Sequence, residues 1–376
     1  MSTHEAPQNA GRRWGRTWGV ALGAALGLAI LATAFVWPAV SNEPDGLSVA
    51  ITGDAEAVSA FTQSTADSLG EIVEITAVDD RDAAVVGIED RSFIGALVLG
   101  ENPEVLIASA SGQVPTAFMN QIAGQLQANI DGAIYVGVTD GIRAMLAAQG
   151  PPPAGAPDGN PAAAAMNNFP ESLPTVAVTD IVPYADGDPS GTGITSAGIP
   201  LTVGSLLASI LIAFSVAGRW QRVSAVLCLG IGGGLALTLL LGTWLEAFPG
   251  PFGLVWLALS LSVTATSALF VGLHSVMGRA GLGIAAAVTL LAAMPLAAFA
   301  VPYQFLPGGL GSFGQGLIPG ATSSLARSVS YFPEAATAAH WWTLAAWAAA
   351  GLLLVFIART AKRPPVAPAP ARPVPA

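Results

Sequence analysis

The sequence predicts a multi-pass α-helical membrane protein with six transmembrane helices and an extracytoplasmic α+β domain inserted between helices one and two. Three observations predict it. Hydrophobic residues fill 53% of the 376 positions and charged residues only 10%, where a soluble chain carries about 25% charged residues. Six stretches reach the roughly 20 apolar residues needed to cross a hydrocarbon core. The basic residues also gather on one side of those stretches, as the positive-inside rule requires.

The first stretch, Trp18–Val40, follows an arginine-bearing N-terminal tail, 1–17. Its apolar core is longer than the roughly 7–15 residues of a signal peptide, and no small-x-small site follows, so it reads as a retained anchor. The other five stretches are Ile199–Ala217, Val223–Leu245, Gly253–Val276, Leu282–Val301 and Trp341–Ala358. They form a five-helix permease-like unit, 196–358, with a broken outer segment at 302–340. A proline-rich tail, 359–376, reads as disordered. With the N-terminus in the cytoplasm, segments 1–17, 218–222, 277–281 and 359–376 hold ten of the fourteen basic residues and one acid, Glu5. The segment 42–195 holds 21 acids against Arg81, Arg91 and Arg143, and Glu246, Arg327 and Glu334 fall in the remaining outer loops. Both termini are therefore expected in the cytoplasm, with residues 41–195 outside a bacterial plasma membrane. The net charge of −10 describes an exported acidic surface. The lipid bilayer is the expected partner, and nucleic acid is not.

Within 41–195 the patterns alternate. "LSVAIT" and "EIVEITAV" are β-branched and strand-like. Between them Val58, Phe61, Thr65 and Leu69 recur at helical intervals behind Asp54, an N-cap residue type. "DRDAAVVGIEDRSF" reads as a second helix, and "IGALVLG" with "EVLIASA" as a hairpin around "ENP". A helix is expected from about Pro115, with Phe118, Ile122, Leu126 and Ile130 on one stripe. The proline-rich segment 150–170 is a linker or loop. "PTVAVTDIVPY" then reads as a strand returning the chain towards the membrane.

Candidate chemistry is sparse. The histidines are His4, His274 and His340 and the one cysteine is Cys228, so no metal site or catalytic set is expected in the outer domain. No enzyme activity and no cofactor are expected. Asp79 and Asp80 read as solvated surface. Asp186, Asp188, Ser190 and Gly191 match positions 1, 3, 5 and 6 of a calcium loop, but the twelfth position is Ala197 rather than Glu, and a polar turn leading into the second span is the preferred reading. Pro200 is expected near the start of that helix, where a missing N–H costs little. In the spans, Ser260, Thr264, Ser267 and His274 share one helical face. That face is a candidate translocation surface, although hydroxyls in lipid usually bond back to their own helix or to a neighbour. Gly19, Gly23 and Gly27 form a small-residue stripe suited to helix packing. The segment 302–340 is apolar but broken by Gly and Pro. Two short helices at or dipping into the outer surface are expected there, with Tyr303, Tyr331, Trp341 and Trp342 as an interfacial belt.

Several stretches carry a resemblance: "RDAAVVGIEDRSFIGALVLG" with "VLIASASG", "DGDPSGTG" followed by "IPLTVGSLL", and "FLPGGLGSFGQGLIPGATSSLARSVSYF". With the order of anchor, outer domain and five spans, the chain resembles the phage-infection-protein (YhgE/Pip) group of bacterial membrane proteins, itself similar to type-2 ABC export permeases. The resemblance implies the membrane subunit of an exporter, commonly a homodimer, with its ATPase on a separate chain. The chain has no phosphate-binding GxxxxGK[ST] loop of its own, and "GRWQR" and "GRAG" leave an ATPase little to grip. The alternative is a non-transporting envelope protein whose outer domain binds a surface partner or phage.

Overall fold

A computed structural model describes residues 47–69, 73–147 and 174–358. The tail 1–17, the stretch Trp18–Val40 with Gly19, Gly23 and Gly27, the segment 150–170 and the tail 359–376 lie outside the described residues.

The first unit is a five-stranded sheet with helices. Strand β1 (Leu47–Gly53) is followed by α1 (Ala55–Leu69), β2 (Val73–Ala77), α2 (Arg81–Glu89), and a hairpin of β3 (Gly95–Leu99) and β4 (Glu104–Ile107). Helix α3 (Gln113–Ala147) and β5 (Ala177–Asp180) complete it. The strand order is β2-β1-β3-β4-β5. β1 runs parallel to β2 and β3, β3 and β4 are antiparallel, and β5 joins β4 in parallel, pairing Glu104 with Ala177 and Ile107 with Asp180. These are the elements the sequence patterns predict. Asp54 holds the N-cap position of α1, its carbonyl accepting from Val58 N at 2.9 Å. Asp80 does more than face solvent: its carboxylate accepts from Ala83 N at 2.8 Å and caps α2.

The two faces of the sheet have different covers. On one, Val49, Ile51, Leu97 and Val105 meet Met119, Ile122 and Leu126 of α3, with Phe118, Ile130, Val58 and Phe61 partly buried beside them. On the other, Ala50, Ala96 and Leu106 meet Ala84 and Ile88 of α2, and also Phe332, which belongs to the helical unit and is fully buried. The sheet therefore does not close its second face alone.

The second unit is helical. Four of its helices are long and apolar enough to cross a membrane: α4 (Gly193–Ser215); α5 (Arg219–Thr238, continued as a π-helix to Trp244); α6 (Phe252–Met277); and α10 (Ala338–Ile357). Between α6 and α10 lie α7 (Arg279–Ala287, continued as a π-helix to Ala293), α8 (Leu310–Gln315) and α9 (Ile318–Tyr331). α6 is the central helix and packs against α4, α5, α7, α9 and α10. Arg219, Arg222 and Arg279 share the end of the bundle away from the sheet, where Arg222 Nη1 donates to Ser275 Oγ at 2.8 Å.

Two expectations change here. The stretch Leu282–Val301 is not one continuous span. Its helix stops at Ala293, and Met294–Val301 runs through turns. Pro295 supplies the reason, because its ring would collide with the carbonyl four residues back and it offers no N–H. Helix α4 begins at Gly193 rather than at Ile199, which puts Pro200 inside the helix and not at its start. The earlier start comes from Asp188, which is buried and accepts from Gly193 N at 2.7 Å and Thr192 N at 3.1 Å. The calcium-like loop is thus a helix cap. Its Gly191 has φ +64 and lies hard against the Tyr184 ring, where a Cβ would meet Cε1 at 1.9 Å.

Candidate functional site: a buried polar helix between sheet and bundle

Helix α9 has the sequence "IPGATSSLARSVSY". Pro319 in its first turn fits because early helical N–H groups have no partner to lose. Ile318, Ala321, Leu325, Ala326 and Val329 enter the bundle core with Leu259, Val263 and Leu344. The other face carries Ser323, Ser324, Arg327, Ser328 and Ser330, and these are buried as well, as is Thr322 among the apolar positions. A short helix buried on both its apolar and its polar side must find partners for the polar side.

Most of those partners are within the chain. Thr322 shares a 2.7 Å hydrogen bond with Ser262 of α6, Ser323 Oγ donates to Ala298 O at 2.9 Å, and Ser324 Oγ donates to Gln315 Oε1 at 2.6 Å. Arg327 is 4% exposed; its Nη1 donates to Ala110 O at 2.9 Å and its Nη2 to Phe299 O at 2.8 Å. One guanidinium thus ties the helix to the sheet unit and to the turn after α7. Arg91, in the turn between α2 and β3, approaches from the sheet side. Its Nη1 donates to Ser328 Oγ at 2.7 Å and reaches Ser324 O at 3.5 Å, and its guanidinium carbon lies 5.3 Å from the centre of the Phe332 ring.

The electrostatics are unusual. Burial pushes the Arg91 guanidinium down to about 10, and the charge of Arg327 adds to that push. Burial lowers Arg327 also, and the phenols of Tyr184 and Tyr331 offset part of it. A guanidinium keeps its proton in a protein, so both are cations. Carbonyl dipoles and the Phe332 ring compensate them in part, the ring by a cation–π contact. The backbone at this end is strained too. The non-glycine residues of positive φ among the described residues are Arg91 (68°), Glu246 (51°) and Ala298 (54°), and strain of this kind persists where surrounding contacts over-determine it.

The four residues of the candidate translocation face all lie on α6, on the side of α4 and α5. Ser260 and Thr264 face glycines of α5: a Cβ on Gly234 would meet Ser260 Oγ at 2.2 Å, and one on Gly230 would meet Thr264 Oγ1 at 1.9 Å. Thr264 donates back to Ser260 O at 2.7 Å, while Ser260 Oγ is buried without a partner. Ser267 accepts from Ser209 of α4 at 3.0 Å. His274 stacks edge-on with Phe214 at 5.3 Å, and its Nδ1 is buried and unpartnered. Among the described residues, no group of three or more His, Cys, Asp or Glu side chains is placed to hold a metal. A cavity of about 600 Å³ opens at the sheet end, lined by Tyr184, Asp186, Thr238, Thr243, Glu246 and Phe252 among others.

The arginines of the junction escaped the sequence reading because charge counting treated each as an isolated outer residue. A signal was present in Arg327, a cation inside a run of small and hydroxyl residues too short to span. Of the aromatic residues expected to form a belt, Tyr303, Tyr331 and Trp341 are partly buried and Trp342 is 75% exposed. No family model, curated protein or solved structure matches the chain.

Proposed function

We propose that the chain is a permease-like membrane protein, the membrane subunit of an exporter of the YhgE/Pip type, with its sheet unit outside the bacterial plasma membrane and both termini in the cytoplasm. The observation that carries this reading is α9: a helix with buried hydroxyls packed between the sheet unit and the apolar bundle, sharing a hydroxyl pair with the central helix α6. Anchoring alone needs no buried hydroxyls. Buried polar groups and irregular backbone within a membrane bundle mark cavities and pathways. The cavity at the sheet end fits an exit vestibule, and the unpartnered Ser260 Oγ and His274 Nδ1 fit a polar path along α6.

The non-transporting reading has one observation in its favour. Only Val216–Gly218 separates α4 from α5, and only Gly278 separates α6 from α7, which leaves an ATPase little to hold. Affinity purification of the full chain from mild detergent separates the two. Recovery of a nucleotide-binding subunit is the expected result, and repeated recovery of envelope partners alone would overturn it. Orientation is tested separately in a Cys228→Ala background. A cysteine placed at Asp80 is expected to react with an impermeant reagent on intact cells, and one at Arg219 is not.

A further inference from the structure

We propose that Arg91 and Arg327 form a binding site for a phosphate-type oxyanion at the junction of the sheet unit and the bundle. The proposal does not depend on transport and holds equally for an envelope protein.

The starting point is missing charge compensation. Among the described residues the ion pairs are Arg81–Glu104 and Arg143–Asp140, so neither Arg91 nor Arg327 has a carboxylate at ion-pair distance. Asp90, next to Arg91 in sequence, turns its carboxylate to Ser92 N at 2.8 Å instead. Cations at a junction of this kind without an anion are costly, since removing a charge from water is repaid only by a well-placed partner. Arg91 nonetheless reaches the helix that carries Arg327, bonding to Ser328 there, and it does so from a strained turn.

The donors left over suit an oxyanion. A guanidinium carries five N–H donors. Arg327 uses one from each terminal nitrogen on carbonyls, and the Nε and Nη2 of Arg91 have no partner among the described residues. Ser324, whose carbonyl faces Arg91, also donates to Gln315, and the Nε2 of that glutamine is buried and unpartnered. Forked guanidinium donors match phosphate geometry better than an ammonium does. Arg91 is only partly buried, whereas Arg327 is 4% exposed, so a ligand would enter from the Arg91 side.

The setting narrows the source to two. Exposed Trp244, Phe252 and Trp342 ring the same end of the bundle, and exposed aromatics of this kind sit at headgroup level. The phosphate is therefore either that of an anionic lipid or free in solution.

The test uses the full chain in neutral detergent and in phosphatidylcholine nanodiscs. Thermal unfolding is followed while inorganic phosphate replaces chloride at constant ionic strength, and in parallel with phosphatidylglycerol added to the discs. A rise in Tm that disappears in Arg91→Gln supports the site. A response to inorganic phosphate assigns a free anion, and a response to phosphatidylglycerol alone assigns the lipid. Arg91→Lys keeps the charge and guards against loss of folding; the concentration for half the response should rise about tenfold, because the fork is lost. No response in the wild-type chain, or the same response in wild type and the Arg91 variants, overturns the proposal.

Discussion

Replacing Gly234 by alanine should loosen the contact between α5 and α6, while the same change at Gly232, two residues away, should not. Gly234 faces α6: an added Cβ would lie 2.2 Å from Ser260 Oγ and 2.6 Å from both Cα and N of Ser260. The hydroxyl can rotate away, but the backbone atoms cannot. α6 is also held by α10, where a Cβ on Gly351 would lie 2.3 Å from Ala268 C. The two helices must therefore part by about 1 Å to restore ordinary contact, and overpacking of this kind costs about 1–3 kcal/mol. Gly232 is exposed, and a Cβ there would meet nothing within 4 Å. Both variants gain up to about 1 kcal/mol of helix propensity. The difference between them therefore isolates the packing cost, about 1–3 kcal/mol in favour of Gly232→Ala. Reversible unfolding in mixed micelles, followed by tryptophan fluorescence, measures it. A difference below about 0.5 kcal/mol, or one of opposite sign, would refute the α5–α6 contact as described.

Three further outcomes are expected. Asp188→Ala should destabilise the chain by about 1 kcal/mol through loss of the α4 cap, and Asp188→Asn by much less, because an amide oxygen still accepts from Gly193 N; thermal unfolding of the two variants decides it. Glu104 is held below its ordinary pKa of 4.5 by its hydrogen bond from Arg81 and, after a smaller opposing cost of burial, by Thr179. Its native pKa lies below the unfolded one, so its contribution is present above pH 4.5 and is lost as pH falls through the native value; Glu104→Gln should flatten the acid limb of the stability profile, and an unchanged limb would count against the pairing. Phe332→Ala should cost about 3–5 kcal/mol by opening a cavity between sheet and bundle. Faster limited proteolysis near Asp186, with the bundle intact, would be the sign that the sheet unit has come free.

Much of the architecture was legible because its signals are local. The α1 and α3 stripes, the β3–β4 hairpin around "ENP" and the apolar runs of α4, α5, α6 and α10 each follow from a period or a length. The errors sit where a distant or neighbouring residue decides. Asp188 extends α4 six residues beyond the hydrophobic edge of Ile199, because a cap is set by geometry rather than by hydropathy. Pro295 cut short an apolar run that composition alone accepts. The face of α6 was legible as a face, but its neighbours were not, since nothing in "LSLSVTATSALF" says that Gly230 and Gly234 will lie against it. Least legible was the Arg91–Arg327 pair, whose members stand 236 positions apart. Their meeting depends on Phe332 closing a sheet that β1 to β4 leave open.

That closure has a mechanical consequence. Helix α9 contributes to three sets of contacts at once. Its apolar side belongs to the bundle core, its Arg327 holds the sheet unit at Ala110 O, and Tyr331 at its end packs against both cores. Protein cores are close-packed and shift between discrete arrangements rather than stretching. A displacement of the sheet unit large enough to break the Arg327–Ala110 contact must therefore either move α9 or uncover Phe332. Moving α9 pulls directly on Ser262 through Thr322, and so on the central helix. Through Arg327 and Thr322, α9 links the sheet unit to the one helix that touches most of the bundle's others.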